Sequence, residues 1–114
     1  MTTAPAFDYA AALAKADAEI VSIIAQEFLD LAPADLAQMR TAAAAGDLEV
    51  LGRMAHTYKG LAANFRARPL QEAAAKLHDA CRHGEPTASA FVATECELQA
   101  LCVALQNHVT QNPT

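Results

Sequence analysis

Tryptophan is absent from this 114-residue chain, and two tyrosines with four phenylalanines hold its aromatic content to 5%. Sheets fill their faces with aromatic and β-branched side chains. A chain that is 54% hydrophobic yet rich in alanine instead favours close-packed helices, so an all-α fold is expected. Cysteine is scarce. Cys81, Cys96 and Cys102 form an odd set without CxxC spacing, which argues against a disulfide framework, fits a reducing compartment and reads as small core residues. The opening MTTAPAFDYAAALA lacks a basic region ahead of an apolar one, and no run reaches the roughly 18 apolar residues of a membrane span. A soluble cytoplasmic protein is expected, with no membrane partner. Lysine and arginine number 8 against 13 acids, a net charge of −5, and no aromatics interleave with them, which speaks against nucleic-acid binding. No Gly-rich phosphate loop, HExxH pair or Ser/His/Asp order is present, so any phosphoryl group handled here must arrive on another molecule.

What the chain does contain is regular punctuation within a single domain, residues 1–114, large enough for a core without metal or disulfide support. Asp17 can cap a helix running to about Ala45, with Glu19 in its first turn and Ile20, Ile24, Phe28 and Leu31 on one face. Pro33 removes a backbone hydrogen bond and predicts a kink, after which Leu36 and Met39 resume the core face. Gly46 stops this helix and Asp47 caps the next, over residues 47–65. Pro69 opens a third helix with a stripe of Leu70, Ala74, Leu77 and Cys81, which Gly84 and Pro86 end. A fourth begins at Glu85 or Thr87 and carries Phe91, Leu98, Leu101, Leu105 and Val109, with His108 as a cation at its C-terminal end. Short connections make an antiparallel up-down-up-down four-helix bundle the simplest topology, with a core of residues 17–110 and a short extra N-terminal helix over 6–15 as a lid.

The second long helix carries the candidate site. Leu48, Leu51, Ala55, Tyr58, Ala62 and Phe65 recur at alternating spacings of 3 and 4 and form its inward stripe. At about 100° per residue, His56 falls about 130° from the centre of that stripe, with Gly52, Lys59, Gly60 and Ala63 within about 60° of it. His56 therefore faces solvent. Each glycine costs a helix interior about 1 kcal/mol relative to alanine, so Gly52 and Gly60, one turn on either side, read as clearance around the imidazole. Residues 50–82 are locally basic, with Arg53, Lys59, Arg66, Arg68, Lys76 and Arg82 against Glu72 and Asp79, which suits an anionic partner surface. A neutral imidazole, with an ordinary pKa near 6.5, is a nucleophile at cytoplasmic pH, and Lys59 offers the counter-charge that phosphoryl transfer needs.

The run AHTYKGLAANFRARPL, centred on His56, Lys59 and Gly60, resembles the signature of the histidine-containing phosphotransfer (HPt) domain of bacterial phosphorelays. FLDLAPADL, the AAAAGD turn and EAAAKLHDA extend the likeness over roughly residues 7–110. The resemblance implies a phosphocarrier without ATPase or autonomous kinase activity. In it His56 accepts a phosphoryl group from a receiver-domain aspartyl phosphate and passes it to another receiver aspartate. Partners would be response-regulator receiver domains and a hybrid sensor kinase, the chain a monomer without a bound cofactor, and Mg2+ would sit on the receiver. Docking would use Gly52, Arg53, Gly60 and Ala63.

Three positions depart from the family pattern. Leu61 replaces a small or hydroxyl residue and is expected to alter packing. Arg66 stands where glycine is common at the end of the histidine helix and leaves the geometry of that turn open. His78 stands in place of a glutamine or glutamate, and either orients His56 by a hydrogen bond or occupies the shoulder of the core. A metal site on His78, Cys81 and His83 is not expected, because the two histidines lie five residues apart and Cys81 belongs to the core stripe. The alternative to a carrier is an adaptor bundle whose glycine-lined face packs against a partner helix.

Overall fold

Capping carboxylates set the helix starts. Asp17 accepts the backbone N–H of Ile20 at 2.9 Å and Asp47 that of Val50 at 3.2 Å, each satisfying a donor that a first turn leaves without an intrahelical partner. The computed structural model describes residues 5–13 and 17–111. Among them it forms α1 (Tyr9–Leu13), α2 (Ala18–Ala45), α3 (Leu48–Asn64), α4 (Arg68–Arg82) and α5 (Ala88–Gln111), with no strand. The N-terminal helix thus starts at Tyr9, later than the expected 6, and the expected stretch 14–15 lies outside the described residues. Pro69 occupies the first turn of α4, where its missing N–H loses no bond. Helix α2 runs through Pro33 as one element, with the proline on its exposed side.

Three helix ends share one device. A residue in left-handed conformation follows the last turn, and the next N–H donates back across the turn: Asp47 to the Ala42 carbonyl at 2.9 Å, Glu85 to Ala80 at 2.9 Å, and Ala67 to Ala62 at 3.0 Å. The left-handed residues are Gly46 at φ 70°, Gly84 at φ 65° and Arg66 at φ 52°. The turn after α3 therefore keeps the geometry that glycine usually supports, and an arginine is held in it.

Each of the four long helices packs on its sequence neighbours, and α5 closes the ring onto α2. This is the four-helix bundle the stripes require, with α3 and α4 its most extensive pair. The interior is Leu51, Ala55, Tyr58 and Ala62 of α3 and Phe65 just after it, against Leu70, Leu77, Leu98, Leu101 and Leu105. Helix α2 corrects the expected register. It buries Val21, Ala25, Phe28, Ala32, Leu36, Met39 and Ala42, and leaves Ile20 at 46% and Leu31 at 60% exposure. Small side chains let helix axes approach closely, so the inward row alternates alanine with larger residues rather than gathering the largest apolar ones.

Three further expectations change. Only Cys81 is a core residue, since Cys102 is half-buried and Cys96 exposed. His108 lies in the last turn of α5 as expected, but it is buried there. Its ring is buried with centroids 5.4 Å from Phe7 and 4.4 Å from Tyr9, because the N-terminal segment folds over it. Asp8 fixes that segment by donating its N–H to the Phe65 carbonyl at 3.0 Å and accepting the N–H of Ala11 at 3.0 Å. Helix α5, Ala88–Gln111, is long and apolar enough to cross a membrane by composition, against the expectation that no stretch would be. Only 22% of that window is buried, and what is buried is its inward row. Leu98, Leu101 and Leu105 are buried within the bundle, and the Arg40–Glu95 ion pair ties the helix to α2.

Candidate functional site

The inward stripe of α3 places its opposite face in solvent. His56 is exposed there, Lys59 is half-buried three residues on, Gly60 is exposed and Ala63 half-buried. A Cβ at Gly60 would meet nothing within 4 Å, so this side of the imidazole is open. Arg53 is exposed one turn back, and its carbonyl accepts the Thr57 hydroxyl at 3.1 Å. Of the six cations in the basic district, none is ion-paired among the described residues, whose only bridges are Arg40–Glu95 and His83–Glu85. Their field is left to act outward.

Gly52 does not do what its spacing suggested. It is buried, and a Cβ there would lie 3.0 Å from the Cβ of Cys81 on α4. Its bareness serves helix approach, not access to the ring. The contact also sets register: one turn further along the antiparallel pair, His56 meets His78, with ring centroids 5.0 Å apart and planes inclined at 44°. No hydrogen bond joins the two imidazoles, so the contact is one of ring against ring.

Beside His78 a cleft of about 240 Å³ opens between α3 and α4, bordered by Glu49, Gly52, Arg53, Cys81 and Arg82. Partial burial holds the His78 imidazole below its ordinary pKa, helped by His56, Arg82 and Lys59 and opposed by Asp79. These surroundings favour its neutral form. Burial raises the thiol pKa of Cys81 and Cys102, which keeps both protonated and poorly nucleophilic.

One anchor behind the site escaped the sequence pattern. The Tyr58 hydroxyl, inside the bundle, donates to Asp35 of α2 at 2.5 Å. Burial first, and then the Asp35 carboxylate, push the phenol far above its ordinary range. The tyrosine reads as one more apolar stripe residue, and only an acid on the core edge of α2 hints that it has a partner. Leu61 packs partly against the core and borders, with Tyr58, Phe65 and Leu31, an apolar hollow on the α2 side away from His56. Among the described residues no three metal-ligating side chains converge.

The Hpt domain family model matches residues 24–111. The chain belongs to the Hpt domain family. Members of this family are phosphocarriers in phosphorelays, where they meet receiver domains, and the matched span runs from within α2 to the end of α5. The crystal structure of the HPT domain from the Hpt sensor hybrid histidine kinase from Shewanella superposes with a TM-score of 0.86 over 96% of this chain and 97% of that one. At 15% identity the likeness is one of fold. Among curated proteins none matches.

Proposed function

We propose that His56 of this Hpt domain is the phosphorylated residue, accepting its group from the aspartyl phosphate of one receiver domain and passing it to an aspartate of another. The observation that carries this is the exposed imidazole on α3, with Lys59 on one flank and the open backbone of Gly60 on the other. A lone pair of the neutral ring attacks phosphorus in line as the bond to the aspartate oxygen breaks and the carboxylate departs with its electron pair. The second transfer reverses these steps. Catalysis of this kind is mostly positioning and charge stabilisation. The Lys59 ammonium supplies the latter from this chain, and a divalent ion bound by the receiver supplies it from the other side.

Docking uses Arg53, Gly60 and Ala63 around the ring, while Gly52, being buried, is released from the role the sequence assigned it. The chain acts as a cytoplasmic monomer without ATPase or kinase activity of its own, its donor a receiver such as that of a hybrid sensor kinase. Unpaired cations around His56 suit the acidic mouth of a receiver's phosphorylation site. Incubation with a phosphorylated receiver tests the reading. The expected result is an acid-labile, alkali-stable label on this chain, acquired about tenfold more slowly by Lys59→Ala, as the loss of one charge-assisted contact implies. An adaptor bundle would acquire no label.

A further inference from the structure

His78 has no task in the chemistry above, yet it is the side chain that α4 sets against the reacting ring. The two rings lie 5.0 Å apart between centroids, so a phosphoryl group on the His56 nitrogen turned toward α4 would lie beside His78. The groups that face His78 are His56, Lys59 and, across the cleft, Glu49 and Arg53 on α3, with Asp79 and Arg82 on its own helix. No charged group of α5 acts on it. While His56 is unmodified, burial first and then His56, Arg82 and Lys59 disfavour an imidazolium at His78. A dianionic phosphoryl group reverses the balance.

We propose that His78 takes up a proton when His56 becomes phosphorylated and, as an imidazolium, donates a hydrogen bond to the phosphoryl group. The inference rests on the phosphocarrier reading and names a further group for it. Transfer itself moves phosphorus from a carboxylate oxygen to a ring nitrogen, and the additional proton on His78 comes from solvent. The half-buried ring, free of any hydrogen bond to His56 in the unmodified state, has a donor nitrogen to give once protonated.

Linkage then follows with a definite sign. At His78 the phosphorylated state binds more proton than the unmodified state, by up to about half a proton for a tenfold change in affinity, across the interval between the two titrations. Phosphohistidine is therefore favoured as pH falls through that interval, and return of the group to a receiver is favoured as pH rises through it. Taking the 5.0 Å between the rings as the scale of the separation, the negative charge of the phosphoryl group in a largely aqueous setting raises the proton affinity of His78 by about tenfold.

The test is proton–nitrogen correlation NMR of the histidine rings of the full chain, titrated before and after treatment with phosphoramidate as a small-molecule donor. Signals are assigned with His78→Gln and His56→Gln, and phosphorus NMR reports the N–P bond. The expected result is a His78 titration displaced upward by about tenfold in proton affinity on phosphorylation. The pH dependence of the phosphotransfer equilibrium with a receiver should shrink in His78→Gln, with its far-UV helical signal checked against that of the native chain. An N–P bond on His56 with an unmoved His78 titration overturns the inference alone. Absence of any N–P bond on His56 from both phosphoramidate and a receiver overturns the phosphocarrier reading, and the inference with it.

Discussion

Gly52 and Cys81 touch across the α3–α4 pair so closely that a Cβ on the glycine would sit 3.0 Å from the Cβ of the cysteine. This contact lets the bundle's most extensive helix pair close, and one turn along it His56 and His78 come ring to ring. Alanine at position 52 gains about 1 kcal/mol of helix propensity but meets an overpacking cost of about 1–3 kcal/mol. Gly52→Ala is expected to lose about 1 kcal/mol net in denaturant unfolding. Cys81→Ala should not rescue it, because alanine keeps the contacting atom.

Gly60 is the contrasting case. With open space where its Cβ would be, Gly60→Ala is expected to gain about 0.5–1 kcal/mol in unfolding free energy. If the bare backbone serves receiver docking, the same variant transfers phosphate more slowly while being more stable. A kinetic assay beside a melt separates the two effects.

Arg66 holds a left-handed turn at φ 52° that Gly46 and Gly84 hold elsewhere in the chain. The conformation costs a residue bearing a Cβ about 1–2 kcal/mol, and glycine's greater freedom in the unfolded chain takes back part of that gain. Arg66→Gly is therefore expected to stabilise by about 0.5–1 kcal/mol, read as a rise in thermal midpoint.

Tyr58 ties α3 to Asp35 of α2 from inside the bundle. Removing its hydroxyl leaves a partly buried carboxylate without that donor, so Tyr58→Phe is expected to cost about 1–2 kcal/mol. The phenol pKa is raised in the folded state, so the native protein retains this proton where the unfolded chain releases it. That contribution is complete below the unfolded value of about 10 and is lost as pH rises beyond it. Unfolding free energy measured between neutral and strongly alkaline pH should fall more steeply in the native chain than in Tyr58→Phe.

Much of the bundle was legible because periodicity and punctuation agree. The stripe of α3, the caps Asp17 and Asp47, and the stops at Gly46 and Gly84 each have a local cause. The register of α2 was less legible, since in an alanine-rich helix hydrophobicity alone does not say which row of small residues will let its neighbours approach. Gly52 shows the limit most clearly. Spacing related it to His56 on its own helix, whereas its reason lies on α4, in a contact that no one-dimensional pattern displays. His108 misled for the same reason, its neighbours being rings about 100 residues earlier in the chain.

The central claim, an exposed imidazole on α3 that carries phosphate between proteins, is tested most directly by His56→Gln in a reaction with a phosphorylated receiver. Because the native ring is solvent-exposed, the variant should keep the far-UV helical signal of the native chain and acquire no acid-labile label. A variant that is labelled as fully as the native protein, with its helices intact, would contradict the account.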